Sequence, residues 1–141
     1  RFKPEQLILP EDFVASVAVS GKTKTRITPA TEVKTKEYLL DIGPRSLKRF
    51  STIVKKSKTI VWNGPLGYYE IKKFAQGTLK MAEILAQTKA LKIIGGGDLV
   101  AALSSFVEQK KFSHVSTGGG AMLEFLSGGQ LPGLEALGYY D

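Results

Sequence analysis

The 141 residues contain no cysteine, a single histidine and a single tryptophan. Without cysteine there is no disulfide framework, thiol nucleophile, cysteine-type zinc site or iron–sulfur cluster. His114 alone does not make a paired-histidine metal site. No uninterrupted apolar run approaches the roughly 18 residues that a membrane helix needs. The opening stretch, Arg1-Phe2-Lys3-Pro4-Glu5-Gln6, lacks an apolar core followed by a small-residue cleavage site, so no signal peptide is read there. These gaps point to a soluble, reducing, cytoplasmic setting with no membrane partner. What is present, including 43% hydrophobic residues, suits one packed domain over residues 1–141.

The net charge of +7 is uneven: residues 1–58 hold 13 Lys/Arg against 6 Asp/Glu, whereas residues 59–141 hold 7 of each. Clustered cations release phosphate counterions, so this asymmetry raises a nucleic-acid reading. The cations do not form a block, however. Lys22, Lys24 and Arg26 alternate with threonines as on the wet face of a strand. Arg45, Lys48, Arg49 and Lys56 recur as on the wet face of a helix. Solvated faces are therefore expected over a nucleic-acid footprint, and attraction for a nucleotide is compatible with either.

Residues 7–19 form a β-rich apolar run interrupted by Pro10, and the polar stretch from Ser20 to Lys36 has room for two short strands. From Leu39 the pattern becomes regular. A helix is expected from Pro44 to about Ser57, burying Leu47, Phe50, Ile53 and Val54. A strand at Thr59–Trp62 follows, then a helix from about Glu70 to Thr88 with Phe74, Leu79, Met81, Ile84 and Leu85 inside. A strand at Leu91–Ile94 precedes a helix from about Leu99 to Glu108, and a strand at His114–Ser116 precedes a helix from Ala121 to Leu126. Three successive units of strand, glycine-bearing turn and helix define an α/β class: a parallel, Rossmann-like three-layer sandwich, half of a doubly wound sheet.

Ligands of such sheets lie at the carboxyl ends of the strands. Three glycine-bearing clusters fall there: Asn63-Gly64-Pro65-Leu66-Gly67, Gly95-Gly96-Gly97-Asp98 and Thr117-Gly118-Gly119-Gly120. Glycine lets a backbone approach phosphate closely, and the helix that follows offers unpaired N–H groups. Tight strand–helix packing is the competing reading of each cluster, and the recurrence of triple glycines favours a phosphorylated ligand. Asp98 reads either as a helix cap or as a carboxylate for Mg²⁺. Glu70 reads either as a first-turn acid or as a hydrogen-bond acceptor for a ribose hydroxyl. Trp62 is assigned to the core, and His114, expected to pack in or near its strand, is given no catalytic role. Ser20-Gly21-Lys22-Thr23 mimics the end of a P-loop, but Ser16 stands where that motif needs glycine and no helical period follows.

Together these strings resemble the phosphoglycerate kinase family. The resemblance rests on Trp62-Asn63-Gly64-Pro65-Leu66-Gly67 with Glu70, Phe74, Gly77 and Thr78, on Ile93-Ile94-Gly95-Gly96-Gly97-Asp98, and on Ser113 to Ala121. Leu40-Asp41-Ile42-Gly43-Pro44, Leu9 to Val14, and the closing Leu123 to Leu126 with Leu131-Pro132-Gly133 also fit. The resemblance implies phosphoryl transfer between 1,3-bisphosphoglycerate and ADP, with Mg²⁺. By resemblance, Leu40, Asn63, Pro65, Tyr68 and the Gly95, Gly96, Gly97 turn border the adenosine, and Glu70 bonds the ribose. Asp98 acts at the metal-bound phosphates, and Gly118, Gly119 and Gly120 stabilise the transferring phosphoryl.

Three positions depart from the family pattern. Leu99 replaces a small hydroxyl residue and is expected to put bulk beside the phosphates. Leu39 replaces a glycine near the adenine, and Tyr68-Tyr69 replaces an aliphatic–Phe pair. The resemblance also implies that the chain matches only the latter half of the family's second, nucleotide-binding domain, a truncated chain expected not to turn over alone. An uncovered strand edge and apolar face would then favour a homodimer. Alternatives are a non-catalytic nucleotide-binding module and a basic nucleic-acid-binding domain.

Overall fold

In a computed structural model, residues 3, 6–104 and 106–141 are described. Arg1, Phe2, Pro4 and Glu5 of the opening stretch, and Ser105 of the helix expected over 99–108, lie outside the described residues. The chain divides into two compact units, Arg1–Ser57 with Pro65–Thr88, and Lys58–Gly64 with Lys89–Asp141.

The first unit is built on an antiparallel sheet of β1 (Asp12–Ser16), β2 (Arg26–Pro29) and β3 (Tyr38–Ile42), ordered β2-β1-β3. Pro29 closes β2, an edge strand, where a missing N–H breaks no ladder. The register of β1 against β3 shifts between Val14 and Ala15. Two helices complete the unit, α1 (Pro44–Lys56) and α2 (Gln76–Gln87), which pack on one another, α1 also on β1 and α2 on β3. Ala15, Leu40, Ile42, Phe74, Met81 and Leu85 are buried.

Each helix start in this unit is capped from the sheet rather than from its own sequence. Neither α1 nor α2 has an acid in its first turn. At α1, the Asp12 carboxylate accepts the Ser46 N–H at 2.8 Å, the Arg45 N–H at 3.1 Å and the Ser46 hydroxyl at 2.7 Å. Burial pushes the Asp12 carboxyl up, but these bonds outweigh it and hold it below the ordinary value. At α2, the Asp41 carboxylate accepts the Gly77 N–H at 2.8 Å, and it also accepts the Ile42 N–H at 2.8 Å. Here burial prevails over the bonds from Gly77, Ile42 and Gln76, and the Asp41 carboxyl is raised.

The second unit carries a parallel sheet of β4 (Thr59–Asn63), β5 (Leu91–Gly95) and β6 (His114–Ser116), in that order. Its helices are α3 (Gly97–Leu103), α4 (Gly119–Leu126) and the short α5 (Pro132–Ala136), with α3 against β5 and β6. Trp62, Ile94, Leu99, Leu103 and Phe112 form its buried apolar core. The α/β class and the three parallel strands are as the sequence predicts. Among the described residues no helix is long and apolar enough to cross a membrane.

Several local expectations need correction. Glu70 does not start a helix: it lies exposed in a turn, followed by a 3-10 turn at Lys72–Phe74, and α2 begins only where Asp41 receives its N–H groups. The helix expected to reach Glu108 ends at Leu103. On α1, Leu47, Phe50 and Val54 are only half-buried and Ile53 is exposed, while Ser46 is the fully buried residue. Lys22 and Lys24 precede β2 in turn and loop rather than on a strand face. His114 is in its strand, but exposed. No helix follows the P-loop mimic, whose next element is β2.

Candidate functional site

Parallel pairing in register brings the strand ends of the second unit level, with Asn63 opposite Gly95 and Gly95 opposite Ser116. The turns beyond are tied to neighbouring strands. The Gly64 N–H donates to the Gly95 carbonyl at 3.2 Å, and the Gly96 N–H donates to the Ser116 carbonyl at 3.0 Å. Gly96 has φ +98°, a left-handed conformation that favours glycine.

The glycines divide by what surrounds them. A Cβ on Gly119 would collide with the Asn63 amide oxygen and come within 2.7 Å of the Gly96 Cα, so the two turns touch backbone to backbone. Gly95 backs onto Met122 of α4. Packing therefore accounts for Gly95 and Gly119, and the left-handed backbone for Gly96. Gly97 and Gly120 differ: each sits in the first turn of a helix, has no positive φ, and a Cβ there would meet nothing within 4 Å. Neither packing nor backbone conformation calls for glycine at these two positions, and open space lies over both. Gly118 is exposed at the start of α4, and its Cβ would make only ordinary contacts, the nearest at 3.9 Å.

Asp98 is exposed in the first turn of α3, where the partial positive charge of the helix end favours an anion. Leu99 is 0% exposed, which corrects the expectation of bulk beside the phosphates: its side chain lies in the core of this unit. Asn63 is exposed, with its amide oxygen against Gly95, Gly96 and Gly119. Trp62 is buried, as expected of a core residue.

The other expected site residues belong to the first unit. The Tyr68 N–H donates to the Leu40 carbonyl at 2.7 Å, which ties the Pro65–Glu70 loop to β3. The buried Thr78 hydroxyl accepts the Leu66 N–H at 2.9 Å, and the Tyr68 carbonyl accepts the Ile71 N–H at 3.2 Å. Leu40 is buried and Pro65 half-buried, whereas Leu39 and Tyr68 are 45% and 44% exposed. Glu70 is open to solvent two residues beyond Tyr68. Thr78 and Asp41 are the supporting residues that sequence reasoning left without a task. A mainly apolar cavity of about 270 Å³ in this unit, lined by Val14, Ile27, Asp41, Leu47 and Lys80 among others, contains none of the expected site residues.

Part of the basic excess is engaged within the first unit. Arg26 grips Glu37 through both carboxylate oxygens at 2.7 Å, holding the Glu37 carboxyl down at about 2. Arg49 and Arg45 pair with Glu11 at 2.6 and 3.5 Å. Among the described residues no three His, Cys, Asp or Glu side chains gather as a metal site.

Parallel strands that end level in glycine turns, with helices starting from those turns, define an open α/β domain of the class that receives ligands at its strand carboxyl ends. More narrowly, the chain belongs to the phosphoglycerate kinase family, whose profile matches residues 1–129. It is 45% identical over 132 residues to the phosphoglycerate kinase of Herpetosiphon aurantiacus, covering 94% of this chain and 34% of that one. It is 42% identical over 133 residues to that of Thermus thermophilus, covering 94% and 34%. The solved phosphoglycerate kinase of Coxiella burnetii superposes with a TM-score of 0.81 at 39% identity, covering 86% of this chain and 32% of that chain. The chain thus spans about a third of the length of the curated relatives it matches.

Proposed function

We propose that this chain forms the latter half of the nucleotide-binding domain of a phosphoglycerate kinase, a cytoplasmic enzyme that moves a phosphoryl group between 1,3-bisphosphoglycerate and ADP. The observation that carries the reading is the pair Gly97 and Gly120, which have no packing or conformational need for glycine and face open space. Glycine at such places leaves room for a phosphate against the helix N–H groups.

Each residue then has a physical task. Leu39, Leu40, Pro65 and Tyr68 border the adenosine, with Glu70 accepting from a ribose hydroxyl. Asn63, Gly95, Gly96 and Gly97 are assigned to nucleotide binding as well, with Leu99 acting only through its backbone. Gly118, Gly119 and Gly120 at the start of α4 stabilise the transferring phosphoryl, since such transfer needs positioning and dispersed charge stabilisation. An ADP β-phosphate oxygen forms the new bond to phosphorus while the bond from phosphorus to the acyl oxygen breaks, releasing 3-phosphoglycerate as its carboxylate. The donor chemistry at Asp98 fits Mg²⁺, a hard cation that takes one or two carboxylates and fills its shell with phosphate oxygens and water. When bound there with the nucleotide, Mg²⁺ neutralises phosphate charge.

Nothing in these 141 residues is assigned to gripping the phosphoglycerate, so turnover is expected to need residues outside this stretch. Exposed apolar side chains in the first unit, such as Leu9, Val17 and Ile27, support homodimer formation. A single monomeric species in sedimentation at high concentration would count against that.

An amide NMR titration with MgADP tests the site. Shifts confined to Leu39–Leu40, Asn63–Glu70 and Gly95–Leu99 are expected. A dispersed spectrum that does not move refutes a working nucleotide site in this chain.

A further inference from the structure

Building on the nucleotide-site reading, we infer that Asp41 is a positioning residue, whose carboxylate bridges β3 to the start of α2 and so holds the Pro65–Glu70 loop in the shape that receives a nucleotide. One carboxylate oxygen accepts the Ile42 N–H of β3 at 2.8 Å, and the other accepts the Gly77 N–H of α2 at 2.8 Å. The loop is fastened to these same two elements, each time one residue from an end of the bridge. The Tyr68 N–H donates at 2.7 Å to the carbonyl of Leu40, the neighbour of Asp41. The Leu66 N–H donates at 2.9 Å to the hydroxyl of Thr78, the neighbour of Gly77. Gly67 lies between the two anchored residues, and a Cβ there would come within 2.5 Å of Asp41 Oδ1, so the loop backbone rests on the carboxylate itself.

Asp41 is 3% exposed and Thr78 0%, so both act through the loop rather than on a ligand directly. The exposed end of that loop carries Tyr68 and Glu70. A loop that holds a ligand binds more tightly when its backbone is fixed before the ligand arrives. Capping alone does not account for Asp41. Asp12 caps α1 through Arg45 and Ser46 and is held below its ordinary pKa, whereas burial raises the Asp41 carboxyl. The charge at Asp41 is therefore held against the preference of its surroundings, as is common at functional sites.

The test is calorimetric titration of the full 141-residue chain with MgADP, together with amide hydrogen exchange, for the native protein, Asp41→Asn, Thr78→Val, Thr78→Ser and Asp12→Asn. Asp41→Asn leaves one acceptor oxygen for two N–H groups, and is expected to bind MgADP about tenfold more weakly. The Leu66 and Tyr68 amides should exchange faster by a similar factor. Thr78→Val should do the same, and Thr78→Ser, which keeps the hydroxyl, should restore native values. Asp12→Asn makes the equivalent change at the other cap and should bind as the native chain does. Native affinity in folded Asp41→Asn, or an equal loss in Asp12→Asn, overturns the positioning role while leaving the nucleotide site standing. If Asp41→Asn does not fold, native affinity in Thr78→Val overturns it instead. Absence of MgADP binding by the folded native chain overturns the site reading, and the positioning role with it.

Discussion

Replacing Asp12 by alanine should cost this protein a large part of its stability, although Asp12 is not among the expected ligand residues. Asp12 is 1% exposed and caps α1 from 33 and 34 residues away in sequence. In Asp12→Ala the Ser46 hydroxyl keeps the Asp12 backbone carbonyl as a partner at 2.9 Å. The Arg45 and Ser46 N–H groups lose theirs. A lost cap costs about 1–2 kcal/mol, and a buried donor left unpaired costs about 1–3 kcal/mol. Because both describe the same two N–H groups, their sum is bounded at about 3 kcal/mol, against a total of roughly 5–15 kcal/mol for a domain. Asp12→Asn keeps one acceptor oxygen and should lose about half as much. Urea unfolding followed by circular dichroism measures both. The pH dependence gives a second reading. The folded carboxyl lies below its ordinary 3.8, so its contribution is full above that value and is lost as pH falls through the folded pKa. Asp12→Asn should remove that part of the acid sensitivity. An Asp12→Ala variant within 0.5 kcal/mol of the native protein, a margin typical of surface changes (about ±0.5 kcal/mol), would refute the capping argument.

The other predictions concern the glycine edge and the second cap. Gly119→Ala has no room for its Cβ and should destabilise the second unit by about 1–3 kcal/mol, seen as a lower urea midpoint. Gly120→Ala meets nothing and should leave stability unchanged or raised, yet weaken MgADP or inorganic phosphate binding; unchanged binding in a folded Gly120→Ala chain speaks against a phosphate there. Asp41 has a raised carboxyl pKa, so its contribution is full below 3.8 and is lost as pH rises through the higher folded value. Asp41→Asn should lack this loss in unfolding curves taken across that range. Arg26→Ala should bring the Glu37 carboxyl up from about 2 toward 4.5, read by carboxyl NMR titration.

The parallel half of the fold is legible because each strand there runs straight into a glycine-bearing turn, and β4 and β5 are short, largely apolar runs besides. Thr59–Trp62, Leu91–Ile94 and His114–Ser116 need no distant partner to be recognised. The antiparallel sheet was harder to see. Leu7 and Leu9, apolar but 63% and 62% exposed, lie in the same apolar run as β1, so composition alone does not bound the strand. The start of α2 was misplaced because its capping acid, Asp41, comes from another strand and leaves no local mark, while Glu70 offers a false one. The glycine clusters were legible as candidates. Their division into packed glycines and glycines facing open space was not, since it depends on Met122 and Asn63, which fold in from other elements. Leu99 misled for a related reason: adjacency to Asp98 in sequence says nothing about which way a side chain turns on a helix.

The division of the chain also bears on how it is made. The first compact unit is interrupted by β4, which leaves at Lys58 and returns at Pro65. During synthesis, β4 emerges before α2, whereas its partner among the described residues, β5, follows only from Leu91, because its register is Thr59 with Leu91. A nascent chain arrested at Thr88 would hold every residue of the first unit and yet carry β4 without β5 beside it. The second unit, by contrast, cannot begin its sheet until the first has been entirely produced, so the order of assembly is written into the threading of the chain.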